Sequence, residues 1–239
     1  MRSICKMLQK SNNLLKRITR PLIRWPFGCL IILFAMCRNN ENYHSFTPTR
    51  QDSLKQLVVL KKALLQIHAI KSQITDGDLI TRAGNDFTSE TLRNLNQRDR
   101  TFSHCGIASI ENDSLFVYHA LGGDFNPDQK IRRDRFEDFA EPYTNKGIGV
   151  FRFEMADSSK KKFAINARGF YNMGIMFDMD FDLKTNDRMY CAEYVFKSLT
   201  KNAPQLAFNI SRIRHFEFIG VDDLFLNQLC KLNAHLVYK

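Results

Sequence analysis

The sequence predicts an α+β domain in which an antiparallel sheet packs against helices. Short apolar segments with strand-like alternation are separated by polar loops, and helical periodicity occurs on both sides of them. The chain has 239 residues, of which 44% are hydrophobic, so it is long enough to bury one substantial core.

The first 37 residues are predicted to be a targeting segment. A basic stretch ends at Arg24 and is followed by an apolar run over residues 27–37, which is shorter than the roughly 20 residues of a bilayer span. We therefore expect an exported protein of the cell envelope, with residues 1–37 as a signal peptide or as a membrane or lipid anchor. An incorrectly assigned start followed by a buried segment is the alternative. Residues 38–50 are predicted to be a linker and residues 51–239 a single domain.

The net charge of +10 is concentrated at the N-terminus. Residues 1–50 carry nine basic residues and one acidic residue, whereas the rest of the chain carries 26 basic and 24 acidic residues. The predicted domain is therefore nearly neutral, and it has no basic stripe interleaved with aromatic residues of the kind that binds nucleic acid. We expect no nucleic-acid partner, and residues 1–37 are the part suited to membrane association.

The cysteines do not form a disulfide framework. Three of the six lie in the targeting segment, and the domain keeps Cys105, Cys191 and Cys230, an odd number that leaves at least one free thiol. No CxxC pair is present, so the sequence does not predict a structural zinc site, and we expect no cofactor.

A helix is predicted over residues 51–73. Its apolar residues recur at helical spacing, so we expect them to form the buried face of the helix. Asp76 and Gly77 then predict a turn, and a strand begins at Asp78. The predicted buried face consists of Leu54, Leu57, Val58, Leu64 and Leu65.

Two strands are predicted over residues 104–110 and 114–120. Residues 111–113 join them as a hairpin turn, and the polar residues 84–101 before them form a loop with a possible short helix. The remaining predicted elements are, in order, a short helical turn at 132–139, a strand at 148–153, a helix at 158–172, a helix from about 187 to 200, a strand at 216–221 and a short C-terminal helix.

Cys191 is the candidate nucleophile. Asn186 or Asp187 is a suitable helix cap, which places Cys191 in the first turn or just beyond it. The positive end of the helix dipole stabilises a thiolate at that place. The alternative is a small buried thiol packed in an amphipathic helix.

His104 and His119 are the candidate imidazoles. His104 shares a strand face with Gly106 and Ala108, which leave room for the helix that carries Cys191 to pack there. A catalytic imidazole needs a partner on its second ring nitrogen, and His119 on the next strand can be that partner. Structural strand histidines are the alternative. A zinc site of the two histidines and Cys191 lacks a short ligand spacing, and we expect no metal.

Four segments of the chain carry a family resemblance. They are residues 77–80, 102–107, 117–120 and 190–195. Together they resemble the YiiX-like, circularly permuted branch of the NlpC-type papain-like cysteine peptidases and amidases. The permutation accounts for the order of the residues here, in which the histidine precedes the cysteine. The resemblance implies a permuted papain-like fold.

The resemblance also implies roles for the site residues. It implies that Cys191 is the nucleophile, that His104 is the general base, and that His119 is the third polar residue, where members of the branch often carry a carboxylate. The backbone N–H of Cys191, with help from Tyr190, would donate to the oxyanion. Asp78 is read as a turn or supporting residue outside the reaction.

The predicted function is that of a cysteine hydrolase that cleaves amide bonds. The Cys191 thiolate attacks the carbonyl, His104 protonates the leaving group, and water resolves the thioester. For an exported enzyme of this type, the expected substrate is a cell-wall peptide of peptidoglycan. One alternative is acyl chemistry on lipids or N-acyl amides, with Phe102, Phe177 and Phe181 lining an apolar cleft. The other is a non-catalytic binding module.

Overall fold

The structure is a computed structural model that describes residues 50–123, 125–201, 203 and 206–238. The predicted targeting segment, and the linker apart from its last residue, lie outside the described residues. In the part of the chain that is described, no helix is both long and apolar enough to cross a membrane.

A six-stranded antiparallel sheet lies at the centre of the fold, with strand order β4-β3-β2-β1-β5-β8. Strands β6 and β7 form a separate two-stranded sheet. The predicted α+β class with an antiparallel sheet packed against helices is confirmed. The elements are α1 (Arg50–Lys71), β1 (Leu79–Gly84), α2 (Phe87–Arg93), β2 (His104–Glu111), β3 (Ser114–His119), β4 (Arg132–Arg135), α3 (Phe136–Phe139), β5 (Asn145–Phe153), α4 (Asp157–Asn172), α5 (Cys191–Thr200), β6 (Ser211–Ile213), β7 (Phe216–Phe218), α6 (Val221–Phe225) and β8 (Cys230–Val237).

One face of the large sheet packs against α1 and α3 and forms the hydrophobic core. Burial of each large apolar side chain there contributes about 1.5–3 kcal/mol. The core residues of this face include Ile80, Ala108, Val117, Ile148 and Val150 from the strands, and Ala63, Ile67, Ile70, Phe136 and Phe139 from the helices.

The opposite face of the sheet packs against α4 and α5. Arg168 of α4 donates from Nη1 to Oγ of Ser109 on β2 at 2.6 Å. The hydroxyl of Tyr194 in α5 donates to the carbonyl of Ala167 in α4 at 2.8 Å and so joins the two helices. Because side chains alternate along a strand, Cys105 lies on this face together with Ser109.

The apolar face that the sequence predicted for the first helix is exposed, so that prediction was wrong. Leu57, Val58 and Leu65 are 60%, 68% and 63% exposed. A second strip of small and β-branched residues faces the sheet instead. Both strips have helical spacing, so periodicity alone does not tell which of them is buried. The buried strip consists of Ala63, Ile67 and Ile70.

The predicted hairpin is formed by β2 and β3. Its turn residues Asn112 and Asp113 have φ values of 47° and 60°, which asparagine and aspartate tolerate better than most residues. Positive φ at both turn residues matches the right-handed twist of the strands that they connect.

The segment 132–139, predicted as a helical turn, is a strand followed by a short helix. Residues 132–135 pair with β3 as the edge strand β4, and the helix begins only at Phe136. Charged residues are typical of exposed sheet edges, and this run carries four of them. The helical prediction was right for residues 136–139, but it extended the helix over the strand.

The C-terminus is a strand and not the predicted short helix. A short helix does occur at α6, but the chain continues into β8, which pairs with β5 at the edge of the large sheet. Leu232 and Val237 of β8 are 56% and 57% exposed, so the strand lacks a clean apolar face. Its position follows from the unpaired backbone groups of β5, which a side-chain pattern does not reveal.

Candidate active site

Helix α5 begins at Cys191. Its N-cap is Tyr190 and not the expected Asn186 or Asp187, because the chain before it pairs with residue 176 in an extended conformation. The carboxylate of Glu193 accepts the N–H of Tyr190 at 3.2 Å and closes the first turn. Cys191 is therefore the first helical residue, where backbone N–H groups have no acceptor within the helix.

The thiol of Cys191 lies between the start of α5 and strand β2. Hydrogen bonds from the Cys105 thiol and from the backbone N–H groups of Ala192 and Cys105, together with the charge of Arg82, lower the pKa of Cys191 against the opposing effect of burial. The pKa of Cys105 is raised well above its ordinary value by burial and by its bond to Cys191. The structure thus favours the thiolate at Cys191 and the thiol at Cys105.

Three side chains form a hydrogen-bonded row beside β2. Nε2 of His104 lies 2.8 Å from Nδ1 of His119, and Nε2 of His119 lies 3.0 Å from Oδ2 of Asp134. The ionised Asp134 can only accept, so Nε2 of His119 carries the proton and its Nδ1 accepts from Nε2 of His104. Nδ1 of a neutral His104 is then the nitrogen without a proton, which is the nitrogen able to act as a base.

The row is neutral at its histidines and charged at its carboxylate. Burial, aided by Arg82, lowers the pKa of His104 well below its ordinary value. Burial also lowers the pKa of His119 to about 4, although its bond to Asp134 opposes this. Burial alone would raise the pKa of Asp134, but the bonds from His119 and Arg132 outweigh it and lower that pKa to about 2.

Gly106 is the residue that lets the two histidines meet. A Cβ at Gly106 would lie 2.9 Å from Cβ of His119 and 2.7 Å from the carbonyl oxygen of Tyr118. The glycine therefore makes room for a neighbouring strand and not for a helix. The face of His104 and Gly106 was expected to receive the helix that carries Cys191. It instead receives α3, whose Phe139 ring lies 5.7 Å from the His104 ring.

Cys191 reaches the neighbourhood of His104 from the other side of β2. The backbone N–H of Cys105, the residue that follows His104, is among the groups that lower the pKa of Cys191. Arg82, which pairs with His104 across β1 and β2, acts electrostatically on both His104 and Cys191. The side-chain hydrogen bond of His104 runs to His119.

Tyr190 is held by its own contacts. Its hydroxyl accepts the backbone N–H of Ile219 at 2.8 Å, and its ring centroid lies 4.6 Å from that of Phe181. The side chain thereby fixes the segment after β7 against the start of α5, and the hydroxyl group is directed at that segment.

Asp78 stabilises the turn before β1. Its buried carboxylate forms a two-point ion pair with Arg152, at 2.8 and 2.7 Å, and accepts the N–H of Thr75 at 2.9 Å. This ion pair joins the turn before β1 to β5, four residues ahead of Arg82, the residue of β1 that pairs with His104. The contacts are those of a structural residue.

Asp134 is a site residue that the sequence analysis did not single out. The predicted helical turn over residues 132–139 did not reveal its place in the site. Asp134 lies on the same side of the sheet as His119 because residues 132–135 form a strand that pairs with β3. The available signal was a single carboxylate among three arginines in the segment that follows the His119 strand.

A narrow pocket opens at Cys191. Its volume is about 20 Å³, which is room for about one water molecule, so a substrate requires the surrounding loops to move apart. Its polar lining includes Asn96 and Ser103. The apolar lining comes from Leu92, Leu95, Phe181, Phe218, Ile219 and Val221. Of the three phenylalanines expected at the site, Phe181 is the one that lines this pocket.

The described residues contain no group of three or more His, Cys, Asp or Glu side chains arranged to hold a metal ion. The facing nitrogens of His104 and His119 bond to each other.

Comparisons with known proteins find matches among solved structures. No protein-family model matches the chain. No curated protein matches it either. The chain is similar to the crystal structure of the metalloprotein YiiX from Escherichia coli O157:H7, with a TM-score of 0.58 and 17% sequence identity over 69% of this chain and 99% of that chain. At this identity the similarity shows a shared fold.

Proposed function

We propose that the protein is a cysteine hydrolase that cleaves amide bonds, with Cys191 as nucleophile and His104 as general base. One observation carries the proposal: the row from Asp134 through His119 leaves Nδ1 of His104 free to accept a proton, at the strand end against which the Cys191 thiol lies. The fold shared with YiiX supports the coarser assignment to a papain-like hydrolase fold.

The first step is proton transfer from Cys191 to His104. His104 is neutral at pH 7 because its pKa is lowered, so it can accept the proton. The ring must close on the thiol for this step, and catalytic hydrogen bonds commonly tighten only when substrate is bound. The thiolate then attacks the carbonyl carbon, and the backbone N–H of Cys191 donates to the oxyanion.

The second step is release of the amine and hydrolysis of the thioester. Protonated His104 gives its proton to the leaving amine and then, as a base, activates the water that resolves the thioester. While His104 is charged, His119 holds its Nε2–H and Asp134 supplies the compensating negative charge. The row therefore orients the base and stabilises its charged form.

The proposed substrate is a peptide of the bacterial cell wall, and the proposed location is the cell envelope. The basic and apolar composition of residues 1–37 supports export, and export brings the enzyme to this substrate. Acyl chemistry on N-acyl amides or lipids at the same site is the second candidate. The apolar lining of the pocket at Cys191 favours it, because such a lining suits a hydrocarbon chain.

A binding module without catalysis is the remaining alternative. It is consistent with the burial of Cys191, which is 7% exposed. The lowered pKa of Cys191 favours catalysis over this alternative, since an inert buried thiol has a raised pKa.

The deciding experiment measures hydrolysis by the reduced full chain. Peptidoglycan fragments and N-acyl amino acids are incubated separately, and the products are identified by mass spectrometry. We expect one substrate class to be hydrolysed, with loss of turnover in Cys191→Ala and retention in Cys230→Ala, because Cys230 lies on β8 away from the site. Turnover by Cys191→Ala would refute the proposal, and the preferred substrate decides between the two candidates.

A further inference from the structure

The outer face of α1 is apolar, and the described part of the chain leaves it exposed. Leu57, Val58 and Leu65 are each more than half exposed, and Leu64 beside them is 49% exposed. These four residues are called the outer strip below. We propose that the outer strip is a docking surface for an anionic lipid membrane, on which α1 lies flat. The docking surface is separate from the proposed active site.

The outer strip is directed away from the domain. Ile67 of α1 is buried in the core beneath the helix. With 3.6 residues per turn, Val58 lies two and a half turns before Ile67 and Leu65 lies two residues before it, so both project from the opposite side of the helix. Leu57 and Leu64 lie beside them on one flank. A flat surface can therefore cover the strip without meeting the sheet.

The charge of α1 suits an anionic surface. Residues 56–75 include three lysines and no acidic residue. Lys71 forms an ion pair with Glu137 at 2.5 Å, whereas Lys61 and Lys62 are exposed on and beside the outer strip. At the interface of a bilayer, the apolar side chains of such a helix enter the acyl region, and the long stems of its lysines reach the headgroup phosphates.

The same charge disfavours two other occupants of the outer strip. In a twofold pair of copies, the two Lys61 side chains would face each other at the centre of the strip, and residues 56–75 supply no carboxylate between them. The N-terminal part of this chain is also unsuited, because residues 1–50 carry nine basic residues and one acidic residue. A negatively charged surface above an apolar layer suits both the lysines and the leucines.

The position of α1 in the chain agrees with a membrane beside it. The apolar run over residues 27–37 ends 20 residues before Leu57. If that run is retained as the expected anchor, it holds the outer strip near the same bilayer and raises its effective concentration there. Stable membrane anchoring commonly needs two weak contacts, and the outer strip would be the second.

Docking through the outer strip would orient the active site. Helix α1 packs on one face of the large sheet, and α5 with Cys191 at its start packs on the opposite face. The sheet would then lie between the bilayer and the site, which favours a substrate outside the bilayer over a bilayer lipid. This consequence for the substrate rests on the proposed function, whereas the docking itself does not.

The test places a single tryptophan on the outer strip of the full chain. Trp25, the only tryptophan of the sequence, is replaced by phenylalanine, and Leu65→Trp is introduced in that background. Met173→Trp is the matched control, because Met173 is exposed at the end of α4 on the opposite face of the sheet. Fluorescence is recorded with vesicles of phosphatidylcholine, alone or mixed with phosphatidylglycerol, whose acyl chains carry bromine as a quencher.

We expect the emission of Leu65→Trp to shift to the blue and to be quenched by the anionic vesicles, and less by phosphatidylcholine alone. The emission of Met173→Trp should not change. Equal quenching of both variants, or none of Leu65→Trp, would overturn the inference. A blue emission of Leu65→Trp in buffer that vesicles do not alter would also overturn it. A doubled mass in light scattering would then assign the strip to a second copy, and an unchanged mass to another segment of this chain.

A charge variant tests the role of the lysines. Lys61→Gln and Lys62→Gln together, in the Leu65→Trp chain, should reduce quenching by anionic vesicles, because each lysine near such a surface contributes about a fivefold preference. Both side chains are exposed, so the fold should be kept, and urea denaturation checks this. Undiminished quenching would contradict the inference. Hydrolysis without quenching refutes only this inference, and quenching without hydrolysis refutes only the proposed function.

Discussion

The chemistry of the site depends on which nitrogen of each histidine carries a proton. Asp134 accepts from His119, and this fixes the tautomer of His119 and then that of His104. In the proposed mechanism, Asp134 therefore sets the direction of proton transfer, although it does not contact the base itself. It would also compensate the charge of His104 once that residue has accepted a proton.

Replacement of His104 should reduce turnover more than replacement of Asp134. Loss of a general base lowers kcat/KM by about 10²- to 10⁴-fold, so we expect this range for His104→Ala. Asp134→Asn keeps an acceptor for His119 but removes the charge, so we expect a smaller loss. Hydrolysis rates of the variants are the measurement, with the exposed Asp113→Asn as control. Wild-type rates for Asp134→Asn would show that the charge plays no part.

Gly106 should not tolerate even one added methyl group. The Cβ of Gly106→Ala would meet the backbone of Tyr118, which has little freedom to move within the sheet. Overpacking of this kind costs about 1–3 kcal/mol of unfolding free energy. It should also separate His119 from His104 and lower the hydrolysis rate. Urea unfolding and rate measurements test this, with Gly123→Ala as control, because a Cβ there meets nothing within 4 Å.

At the level of elements, α1 shows how one helix can carry two apolar strips with different surroundings. The buried strip faces the core of the sheet, and the strip with Leu57 and Leu65 is exposed. The two faces of strand β2 likewise pack against different helices. His104 faces α3, whereas Cys105 faces α5.

The two strips of α1 should respond differently to substitution. Ile67→Ala removes a buried side chain and should lower the free energy of unfolding by about 2–5 kcal/mol. Leu65→Ser changes an exposed one and should alter it by less than about 0.5 kcal/mol. Urea denaturation of both variants is the measurement. A large loss in Leu65→Ser would mean that this strip is covered in the folded protein.

At the level of the whole molecule, burial of two neutral histidines couples stability to pH. The pKa of His119 is lowered to about 4 in the folded state, against an ordinary value of about 6.5 in the unfolded chain. Between pH values of about 4 and 6.5 the unfolded chain therefore binds more protons than the folded protein. The contribution of neutral His119 to the free energy of unfolding is complete above about pH 6.5, and it is lost as the pH falls towards the pKa of the folded state.

The free energy of unfolding should therefore fall on acidification. For His119 alone the expected loss between pH 7 and pH 5 is about 2 kcal/mol, and His104 adds to it in the same direction. Urea denaturation at several pH values measures the slope. His119→Gln should show a smaller slope than the wild type, and an equal slope would contradict the assignment of a neutral, buried His119.

The sequence by itself determined the α+β class, the hairpin and the place of Cys191 at the start of a helix. Local rules act there: alternation defines the strands, turn residues accept positive φ, and helix periodicity continues to Thr200. The same rules singled out His104 and His119, because the hairpin brings neighbours in sequence into register.

Only the tertiary structure decided the contacts between distant segments. The place of Asp134 depends on strand β4 joining an edge, the partner of Cys191 depends on which face of β2 receives α5, and the buried strip of α1 depends on the shape of the sheet beneath it. Packing and the pairing of backbone groups across the fold determine each of these contacts. A local pattern of side chains is compatible with either arrangement.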